Sequence, residues 1–114
     1  MTSVATGRVA EAAAAAFLEY KGCRIVAQNW RTRECEIDIV AERAGIIYFC
    51  EVKYRRSRSQ GGGLEYITPK KLQQMHFAAC QWMACHNWQQ GYRLSAIEVS
   101  GPDYRVTAAI ADVS

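Results

Sequence analysis

The stretch from Glu36 to Lys53 constrains the fold more than any other part of the chain. Two runs rich in β-branched and aromatic residues, Glu36-Ile37-Asp38-Ile39-Val40-Ala41-Glu42 and Ile46-Ile47-Tyr48-Phe49-Cys50-Glu51-Val52-Lys53, flank a turn that holds Gly45. This pattern predicts a β-hairpin with strands over about 35–42 and 46–54. A charge in an otherwise apolar strand is costly unless it is paired or bound to something. Glu36, Asp38, Glu51 and Lys53 stand in such positions. Strand alternation puts Glu36 and Asp38 on one face, and Glu51 and Lys53 on one face of the next strand. The hairpin is therefore a candidate site as well as a piece of sheet.

On either side the chain alternates helix and strand. Residues 4–21 hold a run of alanines, and the stripe Val9, Ala13, Ala16, Phe17, Tyr20 predicts a helix with that face inward, ended by Lys21-Gly22. Local sequence explains Glu11 as a solvated acid favoured by the helix dipole. Cys23 to Trp30 reads as a strand, followed by a polar turn from Arg31 to Glu34. Beyond the hairpin, a basic segment with Arg55, Arg56 and Arg58 runs into Gly61-Gly62-Gly63, with no Walker-type phosphate loop. Thr68 and Pro69 read as the N-cap and first residue of a second helix. Its inward stripe is Leu72, Met75, His76, Ala79, Trp82, Met83 and His86. Strands over about 93–100 and 104–111 flank Gly101-Pro102-Asp103. The order α-β-β-β-α-β-β predicts an α/β fold with a central mixed sheet flanked by helices.

At 114 residues the chain has room for one core, so residues 1–114 are expected to form one domain. No apolar run is long enough to span a bilayer, and Arg8, Glu11 and Glu19 interrupt the alanine-rich start. These features predict a cytoplasmic protein without a membrane partner. Five cysteines, an odd number without a CxxC pair, predict reduced and mostly buried thiols. The net charge of +3 is mild, so only its distribution is informative.

A hard divalent cation such as Mg2+ takes a few carboxylate oxygens and keeps several waters. Asp38 and Glu51, on adjacent strands, can supply two such oxygens, with the backbone carbonyl of Val52 as a third donor. Lys53 would then orient or help deprotonate an attacking water. The alternative for Lys53 is a cross-strand salt bridge to Glu36 or Glu51. Lys70 and Lys71 lie in the first turn of a helix, against the dipole's preference. They are either solvated or turned towards an anion.

Taken together, Gly7-Arg8 with Glu11, Asn29-Trp30-Arg31, Glu36-Ile37-Asp38, Phe49-Cys50-Glu51-Val52-Lys53-Tyr54-Arg55 and Thr68-Pro69-Lys70-Lys71 resemble the YraN family of bacterial proteins. That family is similar to the PD-(D/E)XK nucleases, above all to archaeal Holliday-junction resolvases. The resemblance covers residues 5–100 and implies a restriction-endonuclease-like fold and metal-dependent hydrolysis of nucleic-acid phosphodiesters. It implies Asp38 and Glu51 as ligands of Mg2+ or Mn2+ and Lys53 as the catalytic lysine. Glu11 becomes a carboxylate reaching the metal or its water shell, and Glu36 a supporting acid beside Lys53 or Arg33. Two positions depart from the family pattern, Ala10 and Cys35, where glycine is usual. Cys35 therefore predicts either local strain or a changed turn.

Lys53, Arg55, Arg56 and Arg58 place four cations within six residues, and Lys70 and Lys71 follow. Such a run is commonly a solvated surface, but beside an acid cluster it reads as a phosphate track. The expected partner is nucleic acid, DNA in particular and branched or structured DNA by extension. A two-fold junction would suit a homodimer. The competing expectations are a nuclease-like module that binds nucleic acid without cutting it, and an interaction domain whose charges form only a salt-bridge network.

Overall fold

The computed structural model of the chain describes residues 3–56 and 64–113. Arg58 and the Gly61–Gly63 loop lie outside the described residues. The elements run α1 (Ser3–Tyr20), β1 (Arg24–Arg31), β2 (Glu36–Arg43), β3 (Ile46–Arg55), α2 (Pro69–His86), β4 (Tyr92–Ser100) and β5 (Arg105–Ile110). This is the expected α-β-β-β-α-β-β order. The five strands lie side by side in chain order in one mixed sheet. β1, β2 and β3 pair antiparallel, β3 and β4 parallel, and β4 and β5 antiparallel. A parallel step needs a crossover, and α2 supplies it.

The helices cover opposite faces. On one, Ala10, Ala14, Ala15 and Leu18 of α1 pack with Ile39, Ala41, Cys50, Ile97 and Val99. On the other, Met75, Ala78, Ala79 and Trp82 of α2 pack with Val40, Ile47, Phe49 and Leu94. β4, covered on both faces, is buried at seven successive positions from Leu94 to Ser100. No helix among the described residues is long and apolar enough to cross a membrane.

The inward face of α1 matches the expected stripe only at Ala13 and Phe17, which pack partly buried against the core. Ala10, Ala14 and Leu18 point to the sheet, whereas Val9, Ala16 and Tyr20 are exposed, Tyr20 at 87%. In a helix this rich in alanine several faces are equally apolar. Close approach to the sheet selects the smallest side chains and leaves the bulky ones at the rim. Ala10, at 1% exposure, leaves no room for a larger residue at this contact. Along α2, Met75, Ala79 and Trp82 face inward as expected, but His76 and His86 are exposed. Thr68 caps α2 by accepting a hydrogen bond from the Lys71 N–H at 3.1 Å.

The hairpin turn is Ala44-Gly45, both in the left-handed region (φ 53° and 79°), the backbone of a two-residue type I′ turn. Cys35 is not among the described residues with positive φ, so no left-handed strain arises there. Instead the Thr32 hydroxyl accepts hydrogen bonds from the N–H groups of Glu34 and Cys35 at 3.1 and 3.2 Å, which closes the turn without glycine. The cysteines are all free. Cys50 is buried, with its pKa pushed up to about 12 chiefly by desolvation, but Cys80 and Cys85 are exposed, contrary to the expectation of mostly buried thiols.

Candidate active site

The site is built where two strands part. β2 and β3 stay in register from Arg43 opposite Ile46 to Ile39 opposite Cys50, and their pairing ends there. β1 continues along β2 to Glu36, and β4 continues along β3 to Arg55. The next pair in the antiparallel register is Asp38 and Glu51. The ladder stops before that pair forms, leaving a gap between β2 and β3, and the charge of Glu51 is near enough to Asp38 to raise its pKa. The N–H of Val52 donates to Asp38 Oδ2 at 2.8 Å, so a side chain takes the place of a backbone partner at the end of the ladder. In an extended strand the carbonyl of a residue leaves on the same side as its N–H, which aims the Val52 carbonyl towards this gap too.

Strict alternation does not hold at Asp38. Val40 packs on the α2 face and Ile39 on the α1 face, yet Ile37 is again on the α2 side. β1 shows a matching change between Ala27 and Trp30, both on the α2 side, with left-handed Asn29 (φ 54°) between them. Asn29 lies opposite Asp38, between the pairs Gln28–Ile39 and Trp30–Ile37. Asparagine tolerates this backbone better than other side chains do, which gives Asn29 a physical role in turning the strands at Asp38.

β3 alternates cleanly. Ile47 and Phe49 pack under α2, and Glu51, Lys53 and Arg55 continue the same row. Tyr48, Cys50, Val52 and Tyr54 pack on the α1 side. The row thus changes from apolar to charged at Glu51. Glu51 accepts Lys71 Nζ at 2.8 Å. An open cleft of about 540 Å3 brings Glu36, Glu51, Lys70 and Lys71 together beside the first turns of α2. Lys53 is exposed, and the salt bridge to Glu36 or Glu51 is not formed; its ammonium lies 5.7 Å from the centre of the Tyr66 ring.

Asp38 carries the electrostatic signature of the site. Its pKa is raised to about 7, first by burial and then by the charge of Glu51, with smaller additions from Glu11 and Glu36. The Val52 N–H opposes that rise without cancelling it. Four carboxylates from three elements therefore bear on one point. Glu11 is half-buried on α1, directly after Ala10, the residue that seats this helix on the sheet. Glu36 is exposed and pairs with Arg31 at 3.3 Å. Among the described residues no group of three His, Cys, Asp or Glu side chains stands close enough together to hold an ion. The donors nonetheless suit Mg2+ or Mn2+. Asp38 and Glu51 offer hard carboxylate oxygens, and the crowding of negative charge at Asp38 is what a divalent cation relieves.

The basic residues divide. Arg56 and Lys70 are exposed at the end of β3 and the start of α2. Arg55 is mostly buried, and its Nε donates to Glu98 Oε2 at 2.9 Å. Glu98 is fully buried and also accepts the Thr107 hydroxyl at 2.7 Å. Sequence reasoning missed Glu98, although an acid within the apolar run Leu94–Val99 is the same signal that marks the hairpin. It also missed Tyr66, whose ring lies under Lys53 and Arg55.

Comparison with known proteins agrees with the resemblance seen in the motifs. A UPF0102 protein from Oleidesulfovibrio alaskensis is 38% identical over 98 residues, covering 85% of this chain and 48% of its own. One from Neisseria meningitidis serogroup C is 46% identical over 66 residues, 58% of this chain and 57% of its own. A third, from Kineococcus radiotolerans, is 40% identical over 82 residues, 72% of this chain and 67% of its own. The chain spans about half the length of the first two relatives. The model of the family described as "Uncharacterised protein family UPF0102" matches residues 10–99. That span contains Glu11, Asp38, Glu51 and Lys53, and the chain belongs to this family, the YraN family that its motifs resemble.

Proposed function

We propose that the chain is a metal-dependent nuclease that hydrolyses nucleic-acid phosphodiester bonds at the gap between β2 and β3. The observation that carries this reading is Asp38 beside Glu51 where the ladder ends, with the Asp38 pKa raised to about 7 first by burial and then by the charge of Glu51. Asp38, Glu51 and the Val52 carbonyl would hold the cation, with Glu11 as a further carboxylate that could reach it through water. When bound, the cation supplies positive charge to the phosphoryl oxygens and acidifies water. Lys53, on the same face as Glu51 and exposed, orients the attacking water and balances negative charge growing on the phosphate. The water oxygen bonds to phosphorus, the phosphorus–sugar oxygen bond breaks, and the leaving oxygen takes a proton. Arg56 and Lys70 contribute phosphate contacts that fix the strand without reading bases. Lys71, which pairs with Glu51, would be free to contact a phosphate if that carboxylate held a cation.

The test is incubation with Mg2+ or Mn2+ and a panel of duplex, single-stranded, flapped and four-way-junction DNA, together with RNA. Product from at least one substrate, abolished by chelator, is expected; no product from any of them would overturn the proposal. A second reading, a nuclease-like module that binds without cutting, draws on the Lys71–Glu51 pair, which already neutralises one of the two carboxylates. It predicts binding that is insensitive to Glu51→Gln and to divalent cations.

A further inference from the structure

Tyr66 lies in the turn just ahead of the Thr68 cap, and no sequence motif singles it out. Its ring sits below two cations, with Lys53 Nζ 5.7 Å and Arg55 Cζ 5.9 Å from the ring centre. Both distances are within the range of a cation–π contact. Its hydroxyl is buried and has no hydrogen-bond partner. A buried hydroxyl without a partner is destabilising, and a native fold seldom keeps one without a use. Glu51 and Asp38 are near enough to add to the effect of burial in raising the phenol's pKa. The group therefore stays an O–H donor under all ordinary conditions.

Beside the acids, the Lys53 ammonium and the Arg55 guanidinium thus lie near the Tyr66 ring, whose hydroxyl has no partner. Arg55 is fixed from behind by Glu98, and the Tyr66 ring keeps Lys53 and Arg55 together. Glu98 already offsets the charge of Arg55, and an anion beside Lys53 that accepts from the phenol gives both of these groups a partner. We propose that Lys53, Arg55 and Tyr66 form a clamp for a non-bridging phosphate oxygen of the nucleic-acid strand, with the Tyr66 hydroxyl as the donor held in reserve. The clamp rests on the nuclease reading, because the phosphate it holds is one that lies against Asp38 and Glu51.

Tyr66→Phe removes only the oxygen, and Tyr66→Leu also removes the ring. Thermal unfolding of the free protein and binding of labelled single-stranded and four-way-junction DNA without divalent cation test the idea together. Tyr66→Phe is expected to raise the melting temperature by about 2–6 °C, because it deletes an unsatisfied donor. It is expected to weaken DNA binding about tenfold, the loss of one hydrogen bond to a charged group. Tyr66→Leu weakens binding further. A fall in melting temperature for Tyr66→Phe would show that the hydroxyl serves the fold and would overturn the clamp. Unchanged affinity in a protein that still cuts nucleic acid would overturn the clamp and leave the nuclease reading standing. A wild-type protein that neither binds nor cuts any nucleic acid would remove both.

Discussion

At the scale of single residues, Asp38 ties local chemistry to stability. Its pKa rises from 3.8 to about 7 on folding, so the folded state binds the proton more tightly than the unfolded chain. The stabilising contribution of the protonated form is complete below pH 3.8 and fades as pH rises, until it is lost above pH 7. The size is on the order of 4 kcal/mol, from a shift of about three units. Asp38→Asn is therefore expected to melt above wild type at pH 8 in chelator, with the difference shrinking towards pH 4. A difference independent of pH would contradict the assignment of burial and like charge as its cause. Ala44 offers an independent check on the backbone. A side chain in the left-handed region costs about 1 kcal/mol that glycine avoids. Ala44→Gly should stabilise the hairpin by about that amount in urea unfolding.

At the scale of elements, β3 explains why one row of residues can serve two purposes. Ile47 and Phe49 hold α2, Glu51 pairs with Lys71 in its first turn, and Lys53 and Arg55 continue the row. Arg55 shows the limit of reading such a row from sequence. Among Arg55, Arg56 and Arg58 nothing local distinguishes a phosphate contact from a buried partner. Only the parallel pairing of β3 with β4, which sets Lys53 beside Glu98 and Arg55 beside Ser100, brings Glu98 within reach. Removing one member of a buried pair leaves an unpaired charge and costs about 3–5 kcal/mol. Arg55→Ala should lose about that much, and Arg56→Ala less than about 0.5 kcal/mol, both by urea unfolding. Equal effects would show that Glu98 does not depend on Arg55. The strands, the helix caps and the acid pair were legible because each has a local signature: alternation, Thr68-Pro69, or charge in an apolar run. The inward face of α1 was not, since its alanines match every stripe equally and the sheet makes the choice. Tyr66 was illegible for a related reason, because its partners Lys53 and Arg55 come from another element.

At the scale of the whole molecule, the two helices clamp one sheet from opposite sides, and the site lies at the end where the pairing of β2 and β3 stops. Glu11 arrives from one side on α1 and Lys71 from the other on α2. If Arg56 and Lys70 contact phosphates, binding to DNA should fall steeply with salt, and each substitution to alanine should lower the slope of log affinity against log salt by about one. Slopes unchanged by both substitutions would place the nucleic acid elsewhere. The central claim is that Asp38, Glu51 and Lys53 act together on a phosphodiester. Its most direct test is the Mg2+-dependent cleavage rate of the best-cut substrate for wild type, Asp38→Asn and Lys53→Ala. The expected result is a loss of at least about 100-fold in each variant while both remain folded. Cleavage by either variant at the wild-type rate would contradict the claim.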